Sequence, residues 1–399
     1  MKTAEAIALE DRYQIPTYNK MPFVLTRGEG SYVWDADDRK LLDFYGGHCV
    51  ALLGHSPPRV VEAIKRQADQ LLFYSNAVYS STRARAAERL AAASPAGLQH
   101  VFFCNSGSEA NETALKLARK TTGRPRIIAM EGGFHGRTLA SLAVTWKEAY
   151  RAPYRSVLPE TSFVPFGDAV AVEAAFAERD DVAGVIIEPI QSMAGIVEAP
   201  EAYYRSLREI CDRHDAVLIF DEVQTGVGRT GTFSICEQYG MRPDLITLAK
   251  SLGSGIPVGA VLVSDGVAST VEPGDQGTTF GGGMVAMAAV EATLQTIFED
   301  GLMDRARELF DRIEYALKDL TRSVRGRGGL IGLELDMPAG PVRRRLLDEG
   351  VLTGSSDDPA VLRLMPPITT PFDAVDAFVA AFERAVQAEV RSEAGTPGV

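Results

Sequence analysis

The lysine at position 250 stands where an amine can act as a nucleophile. It ends the strand-like run Pro243–Lys250, and a turn rich in glycine and serine, Ser251–Gly255, follows it. An amine that a buried strand delivers to such a turn is withdrawn from water, and burial lowers the pKa of a lysine. Because a neutral amine can attack an aldehyde, we predict that Lys250 reacts with a carbonyl group. The alternative is a solvated surface charge, the commoner state of a lysine.

A carboxylate ends a second apolar run. Asp221 follows Ala216–Phe220, and a buried carboxylate costs free energy unless it meets a cation or hydrogen-bond donors. The protonated nitrogen of a pyridine ring is one such partner, and the ion pair would keep that ring protonated as an electron sink. The alternative is a carboxylate satisfied by backbone N–H groups or by a nearby arginine such as Arg229.

A helix start at Ser106–Glu109 is a candidate phosphate site. Ser106 and Glu109 match a capping box, and Gly107 lets the backbone turn and approach a ligand closely. The unpaired N–H groups and the positive dipole end of such a helix suit a phosphate. The alternative is a well-capped helix that binds nothing.

Two further loops carry side chains that suit a planar, charged ligand. In the segment from 131 to 138, the ring of Phe134 can stack on a flat ligand, and Arg137 offers a planar fork to a carboxylate. The Gly-rich segment from 277 to 283 carries hydroxyl groups, including that of Thr279, that could bind phosphate. A surface arginine and an ordinary turn are the respective alternatives.

One motif points to different chemistry. Gly226–Gly231 matches the dinucleotide fingerprint G-x-G-x-x-G and follows a strand. The segment Thr232–Gly240 is, however, too short for the long helix that the fingerprint requires, and no strand with an acidic end follows at the expected distance. We therefore reject a nicotinamide dehydrogenase.

The elements that position these residues alternate between strand and helix, which is typical of an α/β domain with a mostly parallel sheet. Several predicted strands are continuous runs of Val, Ile and Leu, as in strands buried on both faces. From about residue 290 onward the pattern changes to a smaller α+β domain. We predict an N-terminal segment 1–50 that joins it, a large α/β domain 51–289 and a small domain 290–399. The predicted strands are Val101–Cys104, Arg126–Met130, Val182–Ile190, Ala216–Val223, Asp244–Lys250, Gly259–Ser264, Gly328–Leu335 and Val361–Leu364.

Composition restricts the partners and the compartment. The 399 residues carry a formal net charge of −12, which argues against nucleic acid and anionic membranes as partners. The four cysteines are far apart in sequence, so we predict neither a disulfide framework nor a metal site. No signal peptide and no membrane span are expected, and we predict a cytoplasmic protein.

Taken together, these motifs resemble those of the class III (ω-type) pyridoxal-phosphate aminotransferases, most closely the acetylornithine and ornithine branch. The likeness runs from Gly28–Gly30 and Gly54–His55 to Arg363–Pro367. It implies the fold-type I architecture, pyridoxal 5'-phosphate as cofactor and a homodimer with shared active sites.

The resemblance also implies roles for single residues. Lys250 is similar to the Schiff-base lysine that moves the proton, and Asp221 to the partner of the pyridine nitrogen. The remaining cofactor contacts would be Val223 and Phe134 on the two ring faces, Gln224 near the ring hydroxyl, Gly107 and Ser108 at the phosphate, and Thr279 from the neighbouring subunit. Substrate contacts would come from Arg137, Arg363, Tyr18, His48 and Met193.

The chain departs from this family at the substrate side. Where glutamate-using members carry a gate glutamate after Glu188–Gln191, this chain has Ser192 and Met193. We therefore expect Arg363 to be unmasked. His48 resembles a specificity-setting position, with a structural histidine as the alternative.

The expected activity is the transfer of an ω-amino group from an acetylornithine-like amino acid to a 2-oxo acid such as 2-oxoglutarate, by a ping-pong mechanism. A pyruvate-using ω-amino-acid transaminase or an enzyme like dialkylglycine decarboxylase is the first alternative. A non-catalytic homologue is the second.

Overall fold

The structure, a computed structural model, describes residues 2–394; residues 1 and 395–399 of the predicted terminal segments lie outside the described residues. Short 3-10 turns occur at Ala152–Val157, Ile235–Glu237 and Lys250–Gly253. The helices are α1 Thr3–Tyr13, α2 Gly46–Cys49, α3 Pro58–Gln70, α4 Ser81–Ala93, α5 Gly107–Thr122, α6 Leu139–Ala143, α7 Glu148–Arg151, α8 Ala169–Glu178, α9 Glu201–Arg213, α10 Asp265–Ala268, α11 Met284–Glu299, α12 Leu302–Leu317, α13 Ala339–Asp348 and α14 Phe372–Ala394. The strands are β1 Leu25–Glu29, β2 Tyr32–Asp35, β3 Lys40–Asp43, β4 His100–Cys104, β5 Arg126–Met130, β6 Thr161–Val164, β7 Val182–Ile187, β8 Ile190–Gln191, β9 Val197–Glu198, β10 Val217–Asp221, β11 Leu245–Leu248, β12 Gly259–Val263, β13 Ser323–Arg327, β14 Leu330–Glu334, β15 Val351–Leu352, β16 Gly354–Ser355 and β17 Val361–Leu364.

The central sheet has seven strands in the order β4-β12-β11-β10-β7-β5-β6. Neighbouring strands run parallel except at β12, which is antiparallel to both β11 and β4. Every residue of β5, β7, β10, β11 and β12 is buried, because helices cover both faces of the sheet. The predicted α/β class with a mostly parallel sheet is thus confirmed.

The predicted strands around the two key side chains are too long at their ends. The strand expected to run to Val223 ends at Asp221, and the one expected to run to Lys250 ends at Leu248. Lys250 instead begins a 3-10 turn. Asp221 and Lys250 both line a cleft at this edge of the sheet.

A smaller antiparallel sheet, β13-β14-β17-β16, packs against α12 and α14 around its own apolar core. The N-terminal strand β3 joins this part of the molecule, since it pairs in parallel with β15 and Phe44 stacks on Phe378. These contacts support an N-terminal segment that joins the small domain. The division at residues 50 and 290 stays a prediction, since helix α11 runs across position 290.

Helix α5 starts as its sequence predicts, with one difference. Ser106 is the N-cap, and its hydroxyl accepts from the backbone N–H of Glu109. The Glu109 carboxylate, however, accepts from the backbone and side-chain N–H groups of Asn105 rather than from the Ser106 N–H. The predicted capping box is therefore wrong in its reciprocal half, and Glu109 ties the end of β4 to the helix instead.

Two expected absences concern the residues that the structure describes. No helix between residues 2 and 394 is long and apolar enough to cross a membrane. The same range holds no group of three or more side chains that could bind a metal ion.

Candidate active site

A cavity of about 370 Å³ opens at the carboxyl ends of β10 and β11, beside the N-terminus of α5. This is the position at which parallel α/β sheets bind ligands. The fold thus brings together residues that are far apart in the sequence. The lining includes Asn105, Ser106, Gly107, Ser108, Asn111, Phe134, His135, Arg137, Glu188, Asp221, Val223, Gln224 and Lys250.

Lys250 has an amine withdrawn from water. Burial lowers its pKa, although the thiol of Cys49 and the carboxylates of Asp221 and Glu188 act in the opposite direction. Among the described residues, no hydrogen bond or ion pair engages its Nζ atom. The backbone φ of Lys250 is 37°, a left-handed conformation that a residue with a side chain adopts at a cost of about 1–3 kcal/mol. Strain of this kind is typical of functional sites.

Asp221 is 4% exposed and is held by four donors. Its Oδ2 accepts from Nδ1 of His135 at 2.7 Å and from the amide of Asn111 at 2.8 Å. Its Oδ1 accepts from the backbone N–H of Val223 and from the Thr247 hydroxyl. This set fixes the carboxylate at the cavity wall.

Arg229 does not contact Asp221, so the alternative that an arginine satisfies this carboxylate is wrong in that detail. The guanidinium of Arg229 donates to backbone carbonyl groups elsewhere.

The N-terminus of α5 presents the backbone N–H groups of Gly107 and Ser108 to the cavity, at helix positions that have no intrahelical acceptor. Gly107 is not in the left-handed region, contrary to the expectation that its role is a backbone turn. The requirement is one of space, because a Cβ atom there would lie 3.0 Å from both methyl groups of Val223. The result is an open anion cradle next to Val223.

Two further groups that line the cavity, Glu188 and Gln224, have unusual environments. Glu188 accepts from the backbone N–H of Phe134 at 2.7 Å, which fixes the loop that carries the Phe134 ring. Burial raises the pKa of Glu188 to about 7, against the lowering effect of His135. The Oε1 atom of Gln224 is buried and has no hydrogen-bond partner among the described residues, so it can accept a bond from a bound ligand.

These groups fit the predicted cofactor. The cradle at Gly107 and Ser108 suits its phosphate, Asp221 suits its ring nitrogen, and the unpartnered Oε1 of Gln224 suits its ring hydroxyl. The unpaired amine of Lys250 completes the set on the same cavity. Their roles remain predictions.

Arg137 lies at the mouth of the cavity. Its guanidinium stacks on the ring of Tyr150, with Cζ 3.3 Å from the ring centroid, and its backbone N–H donates to the Ser108 hydroxyl. The side chain is exposed, and the stack holds the guanidinium plane in place while its N–H groups stay open to a ligand.

Arg363 is 1% exposed and does not line the cavity directly. Its Nη1 donates to the hydroxyl of Ser192 at 2.9 Å, and its Nε donates to the carbonyl of Ser355. No carboxylate forms an ion pair with it among residues 2–394, which agrees with the expectation of an unmasked arginine. At the position of the expected gate, Ser192 is the residue that forms a hydrogen bond with Arg363.

His48 lies on an unusual turn. The four residues Gly46, Gly47, His48 and Cys49 all have positive φ, between 54° and 67°, so α2 is a single left-handed turn. The His48 ring contacts the Tyr45 hydroxyl. Desolvation, together with the positive charges of Lys250 and Arg363, lowers the pKa of His48 to about 4. Its imidazole is therefore neutral at neutral pH.

Five predicted site residues are absent from the lining of the cavity within one protomer, namely Tyr18, His48, Met193, Thr279 and Arg363. Tyr18 is 81% exposed. Thr279 follows Thr278, whose hydroxyl accepts from the amide of Asn105 at 3.2 Å, so this loop reaches the edge of the site.

Sequence reasoning missed four residues that the fold places around the site, namely His135, Asn111, Thr247 and Glu188. His135 lies in the segment that we identified for Phe134 and Arg137, and Asn111 lies in the helix that we identified for its N-terminal phosphate site. The signal for Glu188 was its position at the end of the buried run before Pro189.

Known proteins are similar to this chain over nearly its whole length. The sequence matches the family model described as aminotransferase class-III over residues 13–386. It is 45% identical over 388 residues to the acetylornithine aminotransferase of Methanopyrus kandleri, with 96% of this chain and 99% of that protein covered. It is 38% identical over 408 residues to the LysW-aminoadipate semialdehyde transaminase of Deinococcus radiodurans, with 98% and 94% covered.

A solved structure extends this similarity to three dimensions. The ornithine aminotransferase from Toxoplasma gondii, described with partial occupancy of PLP at its active site, matches with a TM-score of 0.90 at 27% identity. The match covers 97% of this chain and 94% of that one.

Proposed function

The chain belongs to the class III aminotransferases, and from this premise we propose that it moves the ω-amino group of an acetylornithine-like amino acid to a 2-oxo acid. The predicted family, the fold-type I architecture, the enzyme class and the cofactor pyridoxal phosphate are confirmed. The observation that carries the substrate proposal is the pair of arginines, Arg137 and Arg363, near the one cavity that holds Lys250.

The residues present would hold the cofactor at three points. Gly107 and Ser108 would bind its phosphate, Asp221 its ring nitrogen, and Phe134 and Val223 would contact the two ring faces. When bound, pyridoxal phosphate supplies an aldehyde carbon that takes up an amino group and a protonated ring that withdraws electrons.

Lys250 would move the proton. Its Nζ can accept a proton from the carbon that bears the amino group of the donor, because burial keeps the pKa of this amine low. The protonated Nζ would then hold this proton for its return to the carbon that receives the amino group. The bonds from His135 and Asn111 hold the Asp221 carboxylate in place, so its position relative to the ring would be fixed before the reaction.

The two arginines would select the substrates. Arg137 offers exposed N–H donors on a stacked guanidinium, which suits a carboxylate. Arg363 has only a neutral hydroxyl and a carbonyl as partners, so a second carboxylate can bind without displacing an acidic side chain. We propose that donor and acceptor use this cavity in turn, in a ping-pong order, with 2-oxoglutarate as the acceptor.

A second candidate function follows from the same observation. Because Ser192 rather than an acidic side chain contacts Arg363, the site offers no masking carboxylate to alternate with a dicarboxylate acceptor. A pyruvate-using ω-amino-acid transaminase, or an enzyme like dialkylglycine decarboxylase, would fit this arrangement.

A half-reaction screen tests the proposal. The purified enzyme is mixed with single amino donors, and the loss of the visible absorbance of the bound cofactor is followed by stopped flow. We expect N-acetylornithine and ornithine to react fastest, with formation of the corresponding aldehyde. Reaction with 2,2-dialkylglycines and release of CO₂, or with alanine alone, would contradict it. A second mixing step with 2-oxoglutarate or pyruvate then identifies the acceptor.

A homodimer belongs to the same proposal. Large apolar side chains are exposed on the single chain, among them Leu72 at 66%, Tyr79 at 105% and Phe280 at 65%. Phe280 belongs to the segment from 277 to 283 that we predict to bind phosphate. A patch of this kind marks an interface with another protein surface. A second copy would cover it and bring Thr279 to the neighbouring phosphate. We also propose a cytoplasmic location.

Replacing Phe280 with aspartate is expected to give a monomer with weakened cofactor affinity. The charge would be placed in an apolar contact that includes Phe73, whose ring centroid lies 5.0 Å away. Light scattering after size exclusion and cofactor titration measure the two effects. Tyr315→Asp is the matched control, since that ring is 74% exposed on α12. A dimeric Phe280→Asp variant with full cofactor affinity would contradict the proposed interface.

A further inference from the structure

Arg229 is a completely buried charge without an acidic partner. It is 0% exposed, and among the described residues no carboxylate lies within ion-pair distance of it. Its Nε and Nη2 atoms are buried and unbonded to protein. Burying a charge in this way costs free energy that only its remaining contacts can offset. The contacts that it does make therefore indicate its role.

Those contacts clamp the ends of two neighbouring strands. Nη1 of Arg229 donates to the carbonyl of Gly329 at 3.2 Å and to the carbonyl of Pro366 at 2.5 Å. In return the backbone N–H of Gly329 donates to the Arg229 carbonyl at 2.8 Å. Gly329 immediately precedes β14, and Pro366 follows β17. One side chain thus joins the adjacent ends of an antiparallel pair.

The strand that is clamped carries Arg363. In the β14–β17 register, Ile331 pairs with Leu364, and Gly332 pairs with Arg363. Arg229 therefore binds this strand pair two residues beyond its last recorded pair, and Pro366 is three residues from Arg363 along the chain. The hydrogen bonds of Arg229 therefore restrain the backbone close to Arg363.

The local packing leaves little freedom for another arrangement. A Cβ atom at position 328 would lie 2.4 Å from the Arg229 carbonyl, and one at 329 would lie 2.8 Å from its Nη1. Both positions are glycine, so the two backbones approach as closely as they can.

Arg229 also belongs to the loop that starts at the cofactor site. The chain leaves β10 at Asp221, passes Val223 and Gln224, and reaches Arg229 in a compact loop. The bonds from the Gly226 N–H to the Glu222 carbonyl and from the Thr230 hydroxyl to the Thr225 carbonyl hold this loop together. The loop that begins at Asp221 and the strand of Arg363 are therefore joined at Arg229, through its guanidinium and through its backbone carbonyl.

We propose that Arg229 is a positioning residue for donor specificity: it fixes the distance between the reacting centre at Lys250 and the carboxylate-binding group of Arg363. This inference rests on the proposed role of Arg363. A lysine cannot take its place, because a single ammonium on a shorter stem does not reach both carbonyl groups.

The test compares donors with and without a carboxylate in Arg229→Lys and Arg229→Met. For N-acetylornithine we expect kcat/KM to fall by about 10- to 100-fold, the usual effect of a displacement on the order of 1 Å. For a simple diamine, which has no carboxylate for Arg363, we expect no change. The visible absorbance of the cofactor should also be unchanged. Arg307→Met is the matched control, because Arg307 donates to the same loop at Gly231 but does not touch β14 or β17.

Each outcome has a definite meaning. An equal fall for both donor types shows a general structural role and overturns the inference, as does unchanged activity with every donor. Arg229→Lys leaves a buried charge that could destabilise the fold, whereas Arg229→Met removes this charge. A loss of activity that both variants share therefore reports lost positioning and not the cost of an unpaired buried charge. Arg363→Lys is measured in parallel. If that variant keeps full activity with N-acetylornithine, the proposed role of Arg363 fails. If it loses activity while the Arg229 variants do not, only the inference on Arg229 fails.

Discussion

Replacing Lys250 with alanine is expected to abolish transamination and to change the visible absorbance of the bound cofactor. Among the described residues that line the cavity, Lys250 is the one whose side chain is an amine, which can both bond to an aldehyde and move a proton. A general base alone contributes about 10²–10⁴-fold to a rate. Because Lys250 performs a covalent role as well, we expect the rate to fall by more than about 10⁴-fold. Absorbance spectra and single-turnover rates measure the two effects.

The control for this variant is Lys147→Ala. Lys147 also lies near the cavity mouth, but its amine is bonded to Asp357 at 2.6 Å on the surface, and its loss should leave both readouts intact. A small primary amine added to Lys250→Ala should restore part of the rate, because it can enter the space of the lost side chain. Retention of activity within about tenfold of the original would exclude Lys250 as the reacting amine.

Replacing Asp221 with asparagine is expected to lower the rate of the half-reaction by about 10²–10³-fold, the usual effect of removing one fixed electrostatic partner. The cofactor should remain bound through its phosphate. The carboxylate is replaced by a neutral amide, so the ring loses the charge that keeps its nitrogen protonated. In addition, the amide N–H₂ cannot accept the bonds that His135 and Asn111 now donate.

Stopped-flow rates and cofactor titration separate these effects. Asp244→Asn is the control, because Asp244 pairs with Arg208 outside the cavity at 2.7 Å. A full-rate Asp221→Asn variant would remove the ring contact from the proposed mechanism. A variant that loses the cofactor altogether would show that Asp221 contributes chiefly to binding.

The large domain was predictable because its signals are local. Strands such as Val182–Ile187 and Val217–Asp221 are continuous apolar runs, and Ser106 caps a helix of ordinary composition. Each of these features is decided by a few neighbouring residues. The strand ends at Asp221 and Leu248, which lie at the edge of the sheet beside the cleft, were less predictable.

The partners of the site were not predictable from local pattern. Asp221 meets His135 across 86 residues, and Arg363 meets Ser192 across 171. Only the topology of the sheet and the packing of the small domain decide such contacts. The position of Arg229 shows the same limit, since the sequence suggested a dinucleotide loop or a partner for Asp221, and its guanidinium instead binds carbonyl groups of another sheet.

The left-handed turn at Gly46–Cys49 favours D-residues over L-residues. Its backbone is the mirror image of a right-handed helical turn, and for each L-residue such a conformation costs about 1–2 kcal/mol. At Gly47 a new Cβ atom would meet only His55, at 3.7 Å, so conformation and not space disfavours L-alanine there. A D-alanine introduced by chemical ligation favours this backbone conformation. It would restrict the unfolded chain, and we expect it to stabilise the fold by about 0.4–1 kcal/mol. In the turn that carries His48, the enantiomer of the natural building block suits the backbone better than L-alanine does.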